Sequence, residues 1–112
     1  MGSPRGSMYL ILWQYTVDLS RTDAFERAYG PQGEWAALFR RAEGYLGTSL
    51  FRQVGGDPTY VTVDRWKSAA AYDAFRTAWE ADYRALDERC RTLSAREMML
   101  GIIETGEDVW MG

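Results

Sequence analysis

Asp64 is the residue of this chain whose setting best suits chemistry. It stands in TYVTVDRW (59–66), a β-branched and aromatic run whose side chains alternate between two faces. If Trp66 points toward an apolar layer, Thr62 and Asp64 point the same way, and Val61, Val63 and Arg65 point the other. A carboxylate between Thr62 and Trp66 would lose hydration. Its pKa would rise, and it would become a general base for an acidic phenol or anthrone carbon. The competing reading is a rim aspartate, solvated and paired with Arg65 or a helix arginine. Tyr72 would hydrogen-bond a substrate oxygen and stabilise an enolate or phenolate, with Thr62 holding a water or a second oxygen. As plain structure, Tyr72 is a helix-stripe residue and Thr62 an ordinary strand residue.

Aromatic rings supply the walls of such a site. Trp66 would stack on a ring of the substrate. Trp13 and Tyr15 from the first strand, with Phe75, Trp79 and Tyr83 from the long helix, would enclose a flat, fused-ring or polyketide-like molecule. The same residues also serve as ordinary core. Arg40 and Arg41 would clamp an acidic substrate or simply form a solvated face. Cys90 sits in an apolar stripe and reads as a small hydrophobe.

Other chemistries have little to work with. The chain has no histidine and a single cysteine, so the commonest general base and the commonest metal ligand are missing and no internal disulfide forms. GGDP (55–58) joins two strands as a hairpin turn and is not a phosphate cradle. No Cys/His/acid cluster has metal-ligand spacing. The expected site therefore has no metal and no cofactor.

These residues need elements to position them. MYLILWQYTVD (8–18) reads as a strand with Tyr9, Ile11, Trp13, Tyr15 and Val17 on one face and Leu10, Leu12, Gln14 and Thr16 on the other. Both faces are largely apolar, so both call for cover. SRTD, from Ser20, reads as a capping box ahead of a helix to about Tyr29. GPQG (30–33) breaks it, and EWAALFRRA (34–42) forms a second helix with Gly44 as its stop. YLGTSLFRQV (45–54) and TYVTVDRW (59–66) make an antiparallel hairpin. Ser68 caps one long helix with the stripe Tyr72, Phe75, Trp79, Tyr83, Leu86, Cys90 and Leu93. EMMLGIIE (97–104) is the last strand.

That order is the split βαβ plan: an α+β, ferredoxin-like domain with a four-stranded antiparallel sheet. Helices cover one face. The second apolar face predicts a homodimer packed sheet to sheet. The chain has 112 residues, enough for one domain, which we place at 8–104. MGSPRGS (1–7) reads as a vector-derived remnant ahead of a natural start at Met8. The tail after 104 carries Val109, Trp110 and Met111, residues suited to docking on a partner. A net charge of −3 without a basic stripe argues against nucleic acid. No apolar run reaches membrane-spanning length, and the lone cysteine fits a reducing cytoplasm.

AEGYLGTSLFR (42–52), DRWKSAAAYDAF (64–75) and the register of TVDLSRTDAFERAY (16–29) together resemble the antibiotic biosynthesis monooxygenase family of the dimeric α/β-barrel superfamily, over nearly all of residues 8–104. The resemblance implies that fold, a homodimer, and a pocket between sheet and helices. Trp66 matches the family's strand-end tryptophan, and Tyr72 the tyrosine six residues on in some quinone-forming members. Those members carry Asn where this chain has Thr62. Haem-degrading members use an Asn near the position of Trp13 and a helix histidine, and this chain has neither. The resemblance thus implies cofactor-independent oxygenation of a polycyclic aromatic or polyketide-like substrate in secondary metabolism. Two alternatives stay open. One is a non-oxidative cyclase or isomerase on the same pocket. The other is a non-catalytic dimeric module that binds a small ligand.

Overall fold

The structure, a computed structural model, describes residues 8–105. Its elements run β1 (Met8–Thr16), α1 (Thr22–Tyr29), α2 (Glu34–Phe39), β2 (Tyr45–Arg52), β3 (Thr59–Trp66), α3 (Ala69–Ala78), α4 (Glu80–Cys90) and β4 (Arg96–Thr105). The four strands form one antiparallel sheet in the order β2-β3-β1-β4. This is the ferredoxin-like α+β plan that the element order predicts. The terminal segments 1–7 and 106–112, including the tail expected to dock on a partner, lie outside the described residues.

Strand parity sets the core. Across the central β1–β3 pair, Tyr9 faces Trp66, Ile11 faces Asp64, Trp13 faces Thr62 and Tyr15 faces Tyr60. Paired residues share a face, so these eight lie together under the helices. Phe25 and Tyr29 of α1, Trp35, Leu38 and Phe39 of α2, Phe75 of α3, and Leu86 and Cys90 of α4 close over them. The layer is largely aromatic: Phe25 stacks on Tyr29 at 4.3 Å and tilts against Tyr60 at 4.8 Å, geometries that add to simple area burial.

Several local expectations are refined. Ser20 makes no capping hydrogen bond; a 3-10 turn at Leu19–Arg21 precedes α1, and the Thr22 hydroxyl donates back to Leu19 O at 3.2 Å. α2 ends at Phe39 rather than 42, and the chain tightens through bonds from Arg41 N to Leu38 O and Ala42 N to Phe39 O. Gly44 answers to a different constraint: a Cβ there would collide with the Ala71 Cβ, so it admits the close approach of α3. Ser68 does cap α3, accepting from Ala71 N at 3.0 Å. The single long helix is two, joined at Trp79, whose φ of −120° and ψ of 28° depart from helical values. Bonds from Trp79 N to Phe75 O and Tyr83 N to Trp79 O continue through the joint, so the axis bends without a full break.

Two bulges re-aim side chains. Between Tyr45 and Gly47 the β2–β3 register shifts, and Gly47 takes φ +139°. Between β1 and β4 the register shifts at Leu12/Trp13, opposite Gly101 at φ +157°. Only glycine holds such angles without strain.

Candidate functional site

An open-mouthed cavity of about 160 Å³ lies between the sheet and three of the helices, small beside the roughly 300–1,000 Å³ of typical ligand pockets. The sheet contributes Trp13 and Tyr15 from β1, Thr48 from β2, Thr62 and Asp64 from β3, and Glu97 from β4. The helices contribute Tyr29 from α1, Trp35 and Phe39 from α2, and Tyr83 and Asp87 from α4. α3 contributes nothing to it.

Asp64 is a wall residue of this space. Its Oδ1 accepts from the Thr48 hydroxyl at 2.7 Å, and Tyr45 and Thr48 share a hydrogen bond of 2.5 Å. Thr48 has one hydroxyl proton, already given to Asp64. Tyr45 is therefore the donor of the outer bond, and the chain runs Tyr45 to Thr48 to Asp64. In a regular strand Tyr45 and Thr48, three residues apart, would face opposite ways. The bulge at Gly47 turns both toward Asp64. Burial pushes the Asp64 carboxyl up to about 6, against the lowering influence of the Thr48 bond and of Arg65. Desolvation wins, which places this group near neutrality, where a general base works best.

Tyrosines surround the carboxylate. Burial raises Tyr15, Tyr29 and Tyr83 well above the usual phenol range, so their hydroxyls stay protonated and remain donors. Trp35 meets Tyr83 edge-on at 5.0 Å, and Trp13 lies beside Tyr15 at 6.4 Å. Burial and Asp87 together raise Glu97.

Of the residues singled out in the sequence, the fold gathers Asp64, Thr62, Trp13, Tyr15 and Tyr83 around the cavity. Trp66, Tyr72, Phe75 and Trp79 are not among its walls. Trp66 is fully buried, with Phe39, Phe75 and Tyr72 at 5.5, 5.2 and 5.2 Å. α3 lies directly on the end of β3 there and fills that end of the layer with rings. The Tyr72 hydroxyl accepts from Arg76 at 3.2 Å. Trp79 lies under the Arg41 guanidinium at 5.1 Å. Arg40 bonds Pro31 O and Gln32, and Arg41 pairs with Asp82 at 3.0 Å, so neither reaches the cavity. Cys90 is buried in the core, where burial raises its thiol.

Sequence reading missed Thr48, Tyr45, Asp87 and Glu97. Gly47 inside a strand was the available sign of a bulge. Glu97 follows from pairing opposite Tyr15, a register that the sequence alone leaves open.

Solved structures share this architecture. SnoaB, a cofactor-independent oxygenase from Streptomyces nogalater, is 20% identical with a TM-score of 0.64, covering 88% of this chain and 92% of its own. A Bordetella bronchiseptica protein described as a candidate antibiotic biosynthesis monooxygenase is 21% identical with a TM-score of 0.70, covering 88% and 97%. An anthrone oxidase-like protein is 15% identical with a TM-score of 0.66, covering all of this chain and 52% of its own. No curated protein matches the sequence. The family model for antibiotic biosynthesis monooxygenases matches residues 8–86, through the first three of the four strands and most of the helices that frame the cavity, and the chain belongs to that family.

Proposed function

We propose that this protein is a cofactor-independent monooxygenase-like enzyme acting on a polycyclic aromatic or polyketide-like substrate, with Asp64 as its base. The observation that carries the reading is one desolvated carboxylate, held by Thr48, in the wall of an aromatic cavity. Asp64 removes a proton from an activated ring carbon such as the methylene of an anthrone. The resulting carbanion is electron-rich and reacts with dissolved oxygen. Combination gives a hydroperoxide, which loses water as the second carbon-bound proton departs. The methylene becomes a carbonyl, and one oxygen atom leaves in water. Thr62, together with the protonated Tyr15 and Tyr83 hydroxyls, steadies the developing oxyanion. Tyr72, its hydroxyl turned toward Arg76 of its own helix, packs edge-on against Trp66 and so positions α3. The kinship with an oxygenase and an anthrone oxidase-like protein supports this choice over a cyclase.

The test is oxygen uptake on a simple anthrone. Asp64→Asn should lower turnover about a hundredfold or more with the fold retained. Full activity in that variant would remove Asp64 from the mechanism. Turnover without oxygen would favour a cyclase or isomerase. Tight binding with no turnover in the wild type would favour a ligand-binding module.

A further inference from the structure

We infer that the cavity selects a cationic ligand, a flat aromatic molecule bearing a protonated amine, with the ammonium at the mouth against Asp87 and Glu97 and the ring system inward toward Asp64. This deepens the proposed function and rests on the same site.

Among the described residues, the charged groups lining the cavity are Asp64, Asp87 and Glu97, and no lysine or arginine lines it. Asp64 lies inside, whereas Asp87 and Glu97 are exposed and mark the mouth. Among the described residues none of the three is in an ion pair. Two neighbouring cations are otherwise placed. Arg65 lies on the opposite face of β3. Arg76 covers the Tyr83 ring at 3.8 Å while it pairs with Glu80. An anionic ligand would enter a low-dielectric space of like charge, where repulsion is poorly screened. A cation meets attraction twice, from the carboxylates and from the faces of the surrounding rings.

The proposed reaction sharpens the point. Proton removal moves the negative charge from Asp64, which becomes neutral, onto the substrate, while the carboxyl groups of Asp87 and Glu97 remain at the mouth. An ammonium carried by the substrate offsets that charge, and the carboxylates at the mouth hold it there.

Binding of three probes of one shape, followed by quenching of tryptophan fluorescence near neutral pH, tests this without turnover. They are 9-(aminomethyl)anthracene, 9-anthracenemethanol and 9-anthracenecarboxylate. The ammonium should bind about tenfold tighter than the alcohol, and the carboxylate weakest. Asp87→Asn with Glu97→Gln, both exposed and so tolerated by the fold, should bring ammonium and alcohol within about twofold. An ammonium that binds no better than the alcohol overturns the inference. So does a preference that survives the double variant undiminished. Oxygen uptake on a neutral anthrone without ammonium preference would sink this inference and leave the proposed reaction standing. Ammonium preference with no oxygen uptake on an aminated anthrone would do the reverse.

Discussion

At the scale of single residues, Asp64 is governed by two opposed influences that can be separated experimentally. Burial raises its carboxyl, and the bond from Thr48 stabilises the ionised form and lowers it; the balance is about 6. A base must be ionised to act, so kcat/KM should rise with pH through that value and level off above it. Thr48→Val keeps the branched shape and deletes the donor. Without the donor the carboxylate is less stable, its pKa climbs further, and the acid limb of the profile moves to higher pH. Activity should therefore fall several-fold near pH 6 and little near pH 8, where the group is ionised in both proteins. Thr48→Ser restores the donor and should restore the profile. A uniform loss at all pH values in both variants would show that Thr48 only packs.

At the scale of elements, the site depends on one irregular residue in β2. Gly47 holds φ +139°, and the bulge it permits puts Tyr45 and Thr48 on one face. Gly47→Val forces a branched side chain into that backbone region, with a destabilisation of about 1–3 kcal/mol. The more telling outcome is a coupled loss: a lower melting temperature accompanied by the same upward shift of the acid limb as Thr48→Val. A variant that melts earlier with an unmoved pH profile would separate the bulge from the relay. This also shows where sequence reading stops. Alternation placed Thr62, Asp64 and Trp66 on one face of β3 because a strand has period two, a rule that survives without any tertiary knowledge. Tyr72, Phe75 and Trp79 were equally well placed on their stripe, yet α3 lies flat on Trp66 and only α4, past the bend at Trp79, borders the hollow. Helix periodicity says which side of a helix is apolar and not which sheet residues it covers. The bend at Trp79 falls at no proline or glycine, so nothing in the sequence marked it.

At the scale of the molecule, the sheet has a second face that the helices leave bare. Leu10, Leu12, Val61 and Val63 lie on it only partly buried, and Phe51, Met98 and Ile103 are 54, 47 and 48% exposed. A contiguous apolar surface of this kind is unusual on a free subunit. A second copy would cover it, since a twofold axis sets apolar strand against apolar strand. We therefore propose a homodimer packed sheet to sheet, with each cavity on the far, helical side and independent of the interface. Sedimentation equilibrium should return twice the chain mass of 12.8 kDa. Val63 sits mid-sheet, between Leu12 of β1 and Ser49 of β2, so Val63→Glu should bury an unpaired carboxylate at the interface and yield monomers of unchanged far-ultraviolet circular dichroism. Because Val63 points away from Asp64, those monomers should still bind the aminomethyl anthracene probe. A wild-type protein that sediments as a monomer, or a Val63→Glu variant that dimerises undiminished, would move the interface off this face and leave the bare sheet without its cover.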